Sequence, residues 1–81
     1  MTTQQLRSHP GYKDAMAKII KYRPGFQFTI DYTNIPRAKA NGLRAILRDA
    51  CKLGYLESIS FDVALNCEIT AETYRRTEAQ A

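Results

Sequence analysis

The residues best suited to chemistry lie in the stretch from Ala40 to Glu57, where basic side chains recur along one face of a predicted helix. That face begins with Asn41 and Gly42 and continues with short or basic residues: Arg44, Ala45, Arg48 and Lys52. No acidic residue interrupts it before Asp49. Because lysine and arginine attract phosphate groups, this face is suited to lie against a polyanion.

The opposite face of the same helix is apolar and must be buried against other elements. Its residues recur at i, i+3, i+4, i+7 and i+10: Leu43, Ile46, Leu47, Ala50 and Leu53. This spacing is typical of an amphipathic helix, which Gly54 can end. After Gly54 the pattern changes from helical to strand periodicity.

The charge of the chain is unevenly distributed. Over all 81 residues the net charge is +4. Residues 1–57 hold ten lysines and arginines against four acids, whereas residues 58–81 hold two against four. The basic character therefore belongs to the helical part, which favours nucleic-acid binding.

Composition and motifs argue against an enzyme. The single histidine, His9, has no plausible nucleophile to assist, and the sequence has no glycine-rich phosphate loop. Cys51 and Cys67 fit no zinc spacing and are interpreted as packing residues. No apolar run approaches the ~20 residues that span a bilayer. We therefore expect one small cytoplasmic domain without a metal, a cofactor, a small-molecule substrate or a membrane span.

Two elements are predicted before the basic helix. Ser8 can cap a first helix with Pro10 in its first turn, and its apolar residues repeat at helical spacing: Tyr12, Ala15, Met16, Ile19 and Ile20. Pro24 and Gly25 should stop that helix. Residues 26–30 alternate between apolar and polar, which indicates a short strand.

Two layouts are open for the residues between Asp31 and Lys39. In the first, a short helix ends near Ala38 and a turn at Asn41-Gly42 leads into the long helix. In the second, one helix runs from Ile35 to Leu53 and tolerates Gly42 at a cost of about 1 kcal/mol. The first is favoured, since Asn-Gly is a strong break signal.

A hairpin and a last helix are predicted after Gly54. Ile59, Phe61 and Val63 alternate with polar residues in a strand, and a second strand covers Asn66 to Thr70 with Asn66 as the turn residue. Thr70 can then cap a helix that starts at Ala71.

This order of elements, and the residues themselves, resemble the winged helix-turn-helix family of DNA-binding domains. The similarity is best at ILRDACKLGYLES, residues 46–58, which look like the end of a recognition helix and the first wing strand. Residues 28–30 are similar to the short strand before the second helix of the family, and residues 68–72 to the closing wing strand and the helix after it. The resemblance covers about Lys13 to Thr77, and a short segment with Pro36 replaces the usual longer second helix.

The resemblance implies a fold and a set of DNA contacts. The fold is a small α+β winged helix with a three-helix core, a short first strand, a two-stranded hairpin wing and a C-terminal helical tail. It would span residues 9–77 between flexible segments at 1–8 and 78–81. Carried over by position, the base-reading residues are Asn41, Arg44, Ala45 and Arg48. The expected phosphate contacts are Arg37, Lys39 and Lys52.

The predicted wing differs from a DNA-gripping wing in its charge. From Leu53 to Tyr74 there is no lysine or arginine, so we expect the wing not to grip DNA. It offers apolar side chains beside its turn, which suit a protein contact such as a homodimer. The residues assigned to that interface are Phe61, Val63, Leu65 and Tyr74.

Two main hypotheses and one weaker hypothesis for the function follow from these observations. The first is a small transcriptional regulator or accessory factor that binds double-stranded DNA through the helix 40–53, as a dimer. The alternative is a protein-interaction module that binds another regulator through the acidic, apolar-tipped wing. RNA binding is a third and weaker hypothesis, because a basic helix alone does not choose its nucleic acid.

Overall fold

The computed structural model describes residues 2–78, without the side chain of Thr3. Within them the chain forms a small α+β domain of three helices and a three-stranded antiparallel sheet. The elements in chain order are α1 (Thr3–Arg7), α2 (Pro10–Lys21), β1 (Gln27–Asp31), α3 (Arg37–Lys52), β2 (Leu56–Val63) and β3 (Ile69–Arg76). Of the C-terminal segment predicted to be flexible, residues 79–81 lie outside the described residues.

The sheet has the order β1-β3-β2, so β3 is the central strand. Phe28 of β1 lies opposite Tyr74 of β3, and Ser58 of β2 lies opposite the same tyrosine. The pairing of β2 with β3 shifts register near Ile59 and again between Asp62 and Val63. Such irregularities bend and twist a hairpin locally.

The core lies between α2, α3 and one face of the sheet. It is built from buried apolar residues: Leu6, Tyr12, Met16, Ile19, Ile46, Leu47, Ala50, Leu56 and Tyr74. Tyr74 is 1% exposed and its ring lies 6.0 Å from that of Phe28, centroid to centroid. The apolar stripe predicted on α3 thus supplies the core through Ile46, Leu47 and Ala50, whereas Leu53 at its end is 45% exposed.

The helix α1 was not predicted from the sequence. Thr2 and Gln5 form a reciprocal capping box at its start, which satisfies two backbone amides that would otherwise lack a partner. Its Leu6 side chain is buried in the core, and Arg7 reaches Asp49 of α3. A five-residue helix has little stability by itself, so these tertiary contacts hold it in place.

The helix α2 and the strand β1 confirm the elements predicted for them. The capping residue was wrong: His9, not Ser8, precedes the helix and accepts a hydrogen bond from the Gly11 amide at its Nδ1, at 3.1 Å. Ser8 instead ends α1. Gly25 has a φ of 87°, a conformation that glycine adopts without strain. This fits the prediction that the helix ends at Pro24 and Gly25.

The helix α3 is continuous, so the favoured break at Asn41-Gly42 was wrong and the single-helix layout is closer. No second helix lies between β1 and α3 among the described residues; a turn follows Tyr32 instead. Ala40 before Gly42 and Ile46 after it are both buried on the same stripe. Their burial outweighs the ~1 kcal/mol that glycine costs inside a helix.

The predicted helix from Ala71 was also wrong, because β3 continues to Arg76. Glu72, Tyr74 and Arg76 are buried at alternate positions, the period of a strand. The Nε of Arg76 donates to the Ile19 carbonyl at 3.2 Å near the end of α2. Buried polar residues with specific partners therefore replaced the apolar pattern that sequence analysis uses to find strands.

Membrane spanning can be assessed for the described helices. None of them combines the length and the apolar character needed to cross a bilayer.

Candidate nucleic-acid interface

One face of α3 is exposed and free of acidic side chains. Arg37, Asn41, Arg48 and Lys52 are all exposed, and their spacing of i, i+4, i+11 and i+15 places them along one stripe of the helix. Ala45 is partly buried on the same side. Asp49, the one acid within α3, is 4% exposed and points inward. We call this stripe of Arg37, Asn41, Ala45, Arg48 and Lys52 the basic face.

Asp49 fixes the orientation of α3 through side chains from the N-terminal helices. Arg7 donates to both carboxylate oxygens, from Nε to Oδ2 and from its terminal nitrogen to Oδ1, each at 3.2 Å. The Tyr12 hydroxyl donates to Oδ2 at 2.5 Å. The Arg7 guanidinium holds the pKa of Asp49 below its usual value, although burial of the carboxyl opposes this shift. The only acid of α3 is thereby buried and neutralised beside the basic face.

Arg44 faces the sheet more than the solvent. Its Nε lies 3.3 Å from Oε1 of Glu72, and the Tyr32 hydroxyl donates to the same oxygen at 2.7 Å. The Arg44 side chain is 24% exposed and the Glu72 side chain 8%. Burial raises the pKa of the Tyr32 hydroxyl far above its usual value, and the bond to Glu72 adds to this, so the hydroxyl remains a donor. This network joins the middle of α3 to β3.

A cleft of about 660 Å³ lies between the start of α3 and the turn of the hairpin. Its lining includes polar side chains from both sides: Tyr32, Thr33, Arg37, Asn41, Arg44, Glu68 and Thr70. Glu68 of the hairpin turn accepts a hydrogen bond from Arg37 at the edge of the cleft. Two of the basic side chains predicted to contact DNA, Arg37 and Arg44, are therefore already paired with glutamates of the hairpin.

The start of α3 adds to the positive character of this end of the helix. Pro36 precedes the first turn and no side chain caps it. The first turn contains Lys39, which is exposed, and no acid. Uncapped amides and the helix dipole both favour negative charge at a helix N-terminus.

The hairpin formed by β2 and β3 exposes the apolar side chains predicted for a protein contact. Phe61 is 59% exposed, Val63 48%, and Leu65 in the turn is fully exposed. Cys67 in the same turn is exposed, and its backbone φ of 67° is uncommon for residues other than glycine, asparagine and aspartate. Tyr74 was wrongly assigned to this surface, because it is the most completely buried large side chain of the core.

The structure brings together most of the residues predicted to contact DNA. Asn41, Ala45 and Arg48 share the basic face with the predicted phosphate contacts Arg37 and Lys52. Lys39 is exposed on a different side of the first turn, and Arg44 lies at the boundary with the sheet.

Sequence analysis missed the acids that pair with these cations. Tyr32 had no predicted role, and Glu68 and Glu72 were expected only as part of the acidic wing segment. The alternation of Glu72, Tyr74 and Arg76 is the signal that could have placed Glu72 on the buried side of a strand.

Neither a metal-binding cluster among the described residues nor a match to a known protein adds to this description of the site. Among the described residues, no group of three or more His, Cys, Asp or Glu side chains is arranged to hold a metal ion. Comparison with protein families, curated proteins and solved structures finds no match to the chain.

Proposed function

We propose that this chain binds double-stranded DNA through the basic face of α3, as a small cytoplasmic transcriptional regulator or accessory DNA-binding factor. The order α2, β1, α3, β2, β3 and the central position of β3 support a winged-helix arrangement in which α3 takes the place of the recognition helix. The helix before it, which the family normally has, is reduced here to a turn.

The observation that carries the proposal is the separation of charge around α3. Arg48 and Lys52 stand on the exposed stripe with no ion-pair partner among residues 2–78, while Asp49 is buried and bound by Arg7. A helix of this diameter fits the major groove, and phosphates on both sides of the groove would meet its cations. The stripe therefore presents positive charge with no exposed acid of α3 to repel phosphates.

Roles follow from position on the helix. Asn41 and Arg48 can form paired hydrogen bonds with adenine and guanine edges respectively, and the Ala45 methyl can contact thymine. Arg37, Lys39 and Lys52 would contact phosphates. Arg44 would serve mainly to hold α3 on the sheet, with the exposed part of its guanidinium turned toward the cleft.

The first experiment is fluorescence anisotropy on a random-sequence duplex at two salt concentrations. About three phosphate contacts would reduce the affinity roughly 40-fold between about 50 mM and about 200 mM salt. A single-stranded RNA of equal length tests the choice of nucleic acid. Absence of duplex binding at the lower salt would refute the proposal.

Variants then separate base reading from phosphate binding on a duplex obtained by selection. Arg48→Ala should lose about 1–3 kcal/mol of binding on the selected duplex and little on random duplexes. Lys52→Ala should weaken both equally. Equal losses for Arg48→Ala on both duplexes would remove Arg48 from the base-reading set.

The hairpin favours one other function. Exposed Phe61, Val63 and Leu65 beside acidic residues could bind a second protein in place of DNA. Retention on heparin compares the two functions: a DNA-binding chain should elute at moderate salt, whereas an interaction module should wash through.

A further inference from the structure

The strand β2 lies at the edge of the sheet, and its two register shifts are the main feature that limits pairing with another strand. Its only neighbour is β3, so one long side of its backbone is open among the described residues. Residues 58–63 contain no lysine, arginine or proline, the residues that commonly discourage strand pairing. Instead Ile59, Phe61 and Val63 are 40%, 59% and 48% exposed.

We propose that β2 pairs with β2 of a second copy of this chain, antiparallel and about a two-fold axis at Phe61. The two three-stranded sheets would then form one continuous sheet, and the apolar side chains of both β2 strands would cover each other. The ladder would be short, because the register shift near Ile59 ends regular pairing there.

The register follows from the side chains. Residues directly opposite in an antiparallel pair share a sheet face, so a two-fold axis must pass through one residue opposite itself. An axis at Asp62 would place two carboxylates opposite each other, which is unfavourable. An axis at Ser60 would place Phe61 opposite Ile59, where the register shift ends regular pairing. With the axis at Phe61, Phe61 meets its own copy and Asp62 meets Ser60, while Ile59 and Val63 approach each other at the irregular ends of the ladder.

The charge of the hairpin permits a second copy. Of its four acids, Glu57 is bound by Arg75 at 2.8 Å, Glu72 by Arg44 at 3.3 Å, and Glu68 by Arg37. Only Asp62 lacks an ion pair among the described residues, and the proposed register places it opposite a serine. A basic partner would find little unpaired negative charge here, so an identical strand fits the surface better.

The same axis would place both basic faces on one side of the joined sheet. Phe61 lies opposite Glu72 on β3, and Glu72 contacts Arg44 of α3, so Phe61 points to the helical side. An axis perpendicular to the sheet keeps that side common to both copies. The dimer does not depend on what α3 binds, and it is tested without nucleic acid.

Sedimentation equilibrium of the full chain, from low micromolar to several hundred micromolar, tests this dimer. The wild type should show a monomer–dimer equilibrium. Phe61→Lys, which places two cations face to face at the axis, should weaken dimerisation at least about tenfold. Leu65→Lys makes the same change on a more exposed side chain outside the ladder and should leave it unchanged. Circular dichroism confirms that both variants fold.

Cysteine cross-linking tests the register in a Cys51→Ala, Cys67→Asn background. Phe61→Cys should form a disulfide dimer readily, because residues directly opposite in an antiparallel pair lie within the Cα distance of a disulfide. Ser60→Cys, on the other face and facing Asp62, should cross-link much less. A wild type that stays monomeric throughout, a dimer that survives Phe61→Lys, or preferential cross-linking at position 60 would overturn the proposal.

Discussion

Arg44 is paired with Glu72 of the sheet and was also predicted to contact DNA. Most of its side chain is buried against the sheet. Replacing it by alanine leaves the Glu72 carboxylate buried without its cation, although the Tyr32 hydroxyl still donates to it. We expect Arg44→Ala to lower the free energy of unfolding by about 1–3 kcal/mol, since a buried charge that loses its partner is costly. Urea denaturation measures this directly.

The control for Arg44 lies one turn further along the same helix. Arg48 is exposed, so Arg48→Ala should change the free energy of unfolding by less than about 0.5 kcal/mol. Equal stability of the two variants would show that the Arg44–Glu72 contact does not support the fold. A DNA-binding defect in Arg44→Ala can be interpreted only after this comparison, which makes Arg48 the better probe of base reading.

Asp49 makes the fold sensitive to acid. Its folded-state pKa lies below the usual value of 3.8, chiefly through the Arg7 hydrogen bonds, so folding favours the charged form. This contribution is fully present above about pH 3.8 and is lost as the pH falls through the lower folded-state pKa. Asp49→Asn lacks it at every pH. Thermal denaturation should therefore show the wild type more stable at neutral pH, with the difference shrinking in acid; a difference independent of pH would contradict this account.

Two glycines of similar surroundings provide a test at the level of the helix. A Cβ at Gly42 or at Gly54 would meet no atom within 4 Å, but Gly54 has a φ of 89° whereas Gly42 has ordinary helical geometry. Gly42→Ala should raise the free energy of unfolding by about 0.5–1 kcal/mol. Gly54→Ala should lower it by about 1 kcal/mol through backbone strain. Chemical denaturation of the two variants measures both changes. Destabilisation by Gly42→Ala would mean that α3 is strained or broken at this position.

The elements predicted correctly are those whose sequence follows a simple period of apolar and polar residues. The apolar repeat of α2 and the alternation in β1 lie within single elements, so local patterns predicted them. The helix α1 was missed because Leu6 and the Arg7–Asp49 contact, which hold it, are long-range. The Asn41-Gly42 break was overestimated because a local preference of about 1 kcal/mol is smaller than the burial on both sides of it.

The sequence predicted the charged residues of the candidate site but not the ion pairs that they form. A sequence shows that Arg37, Arg44 and Arg48 share a helix, but not that two of them meet glutamates on the hairpin. Those partners are about 30 residues away along the chain, and their approach depends on the sheet order. Tyr74 was misplaced for the same reason, since its burial depends on β3 being the central strand.

At the scale of the whole molecule, the acidic hairpin stands beside the basic helix and competes for one of its cations. Arg37 and Glu68 are both well exposed, so their ion pair adds little to stability. A phosphate approaching the cleft would meet Arg37 partly neutralised and would be repelled by the Glu68 carboxylate. If α3 binds DNA, Glu68→Gln should therefore strengthen binding on all duplexes by about 0.5–1 kcal/mol and steepen the salt dependence by about one phosphate contact.

Glu57→Gln is the matched control, because Glu57 also pairs with an arginine, Arg75, but does so on the sheet away from the cleft. Both variants remove one negative charge and keep the shape of the side chain. Anisotropy titrations over a range of salt concentrations should show the larger gain for Glu68→Gln, because only that change releases a cation of the basic face. Equal gains would mean that the affinity for DNA depends only on the net charge of the protein. The hairpin would then have no specific influence on Arg37.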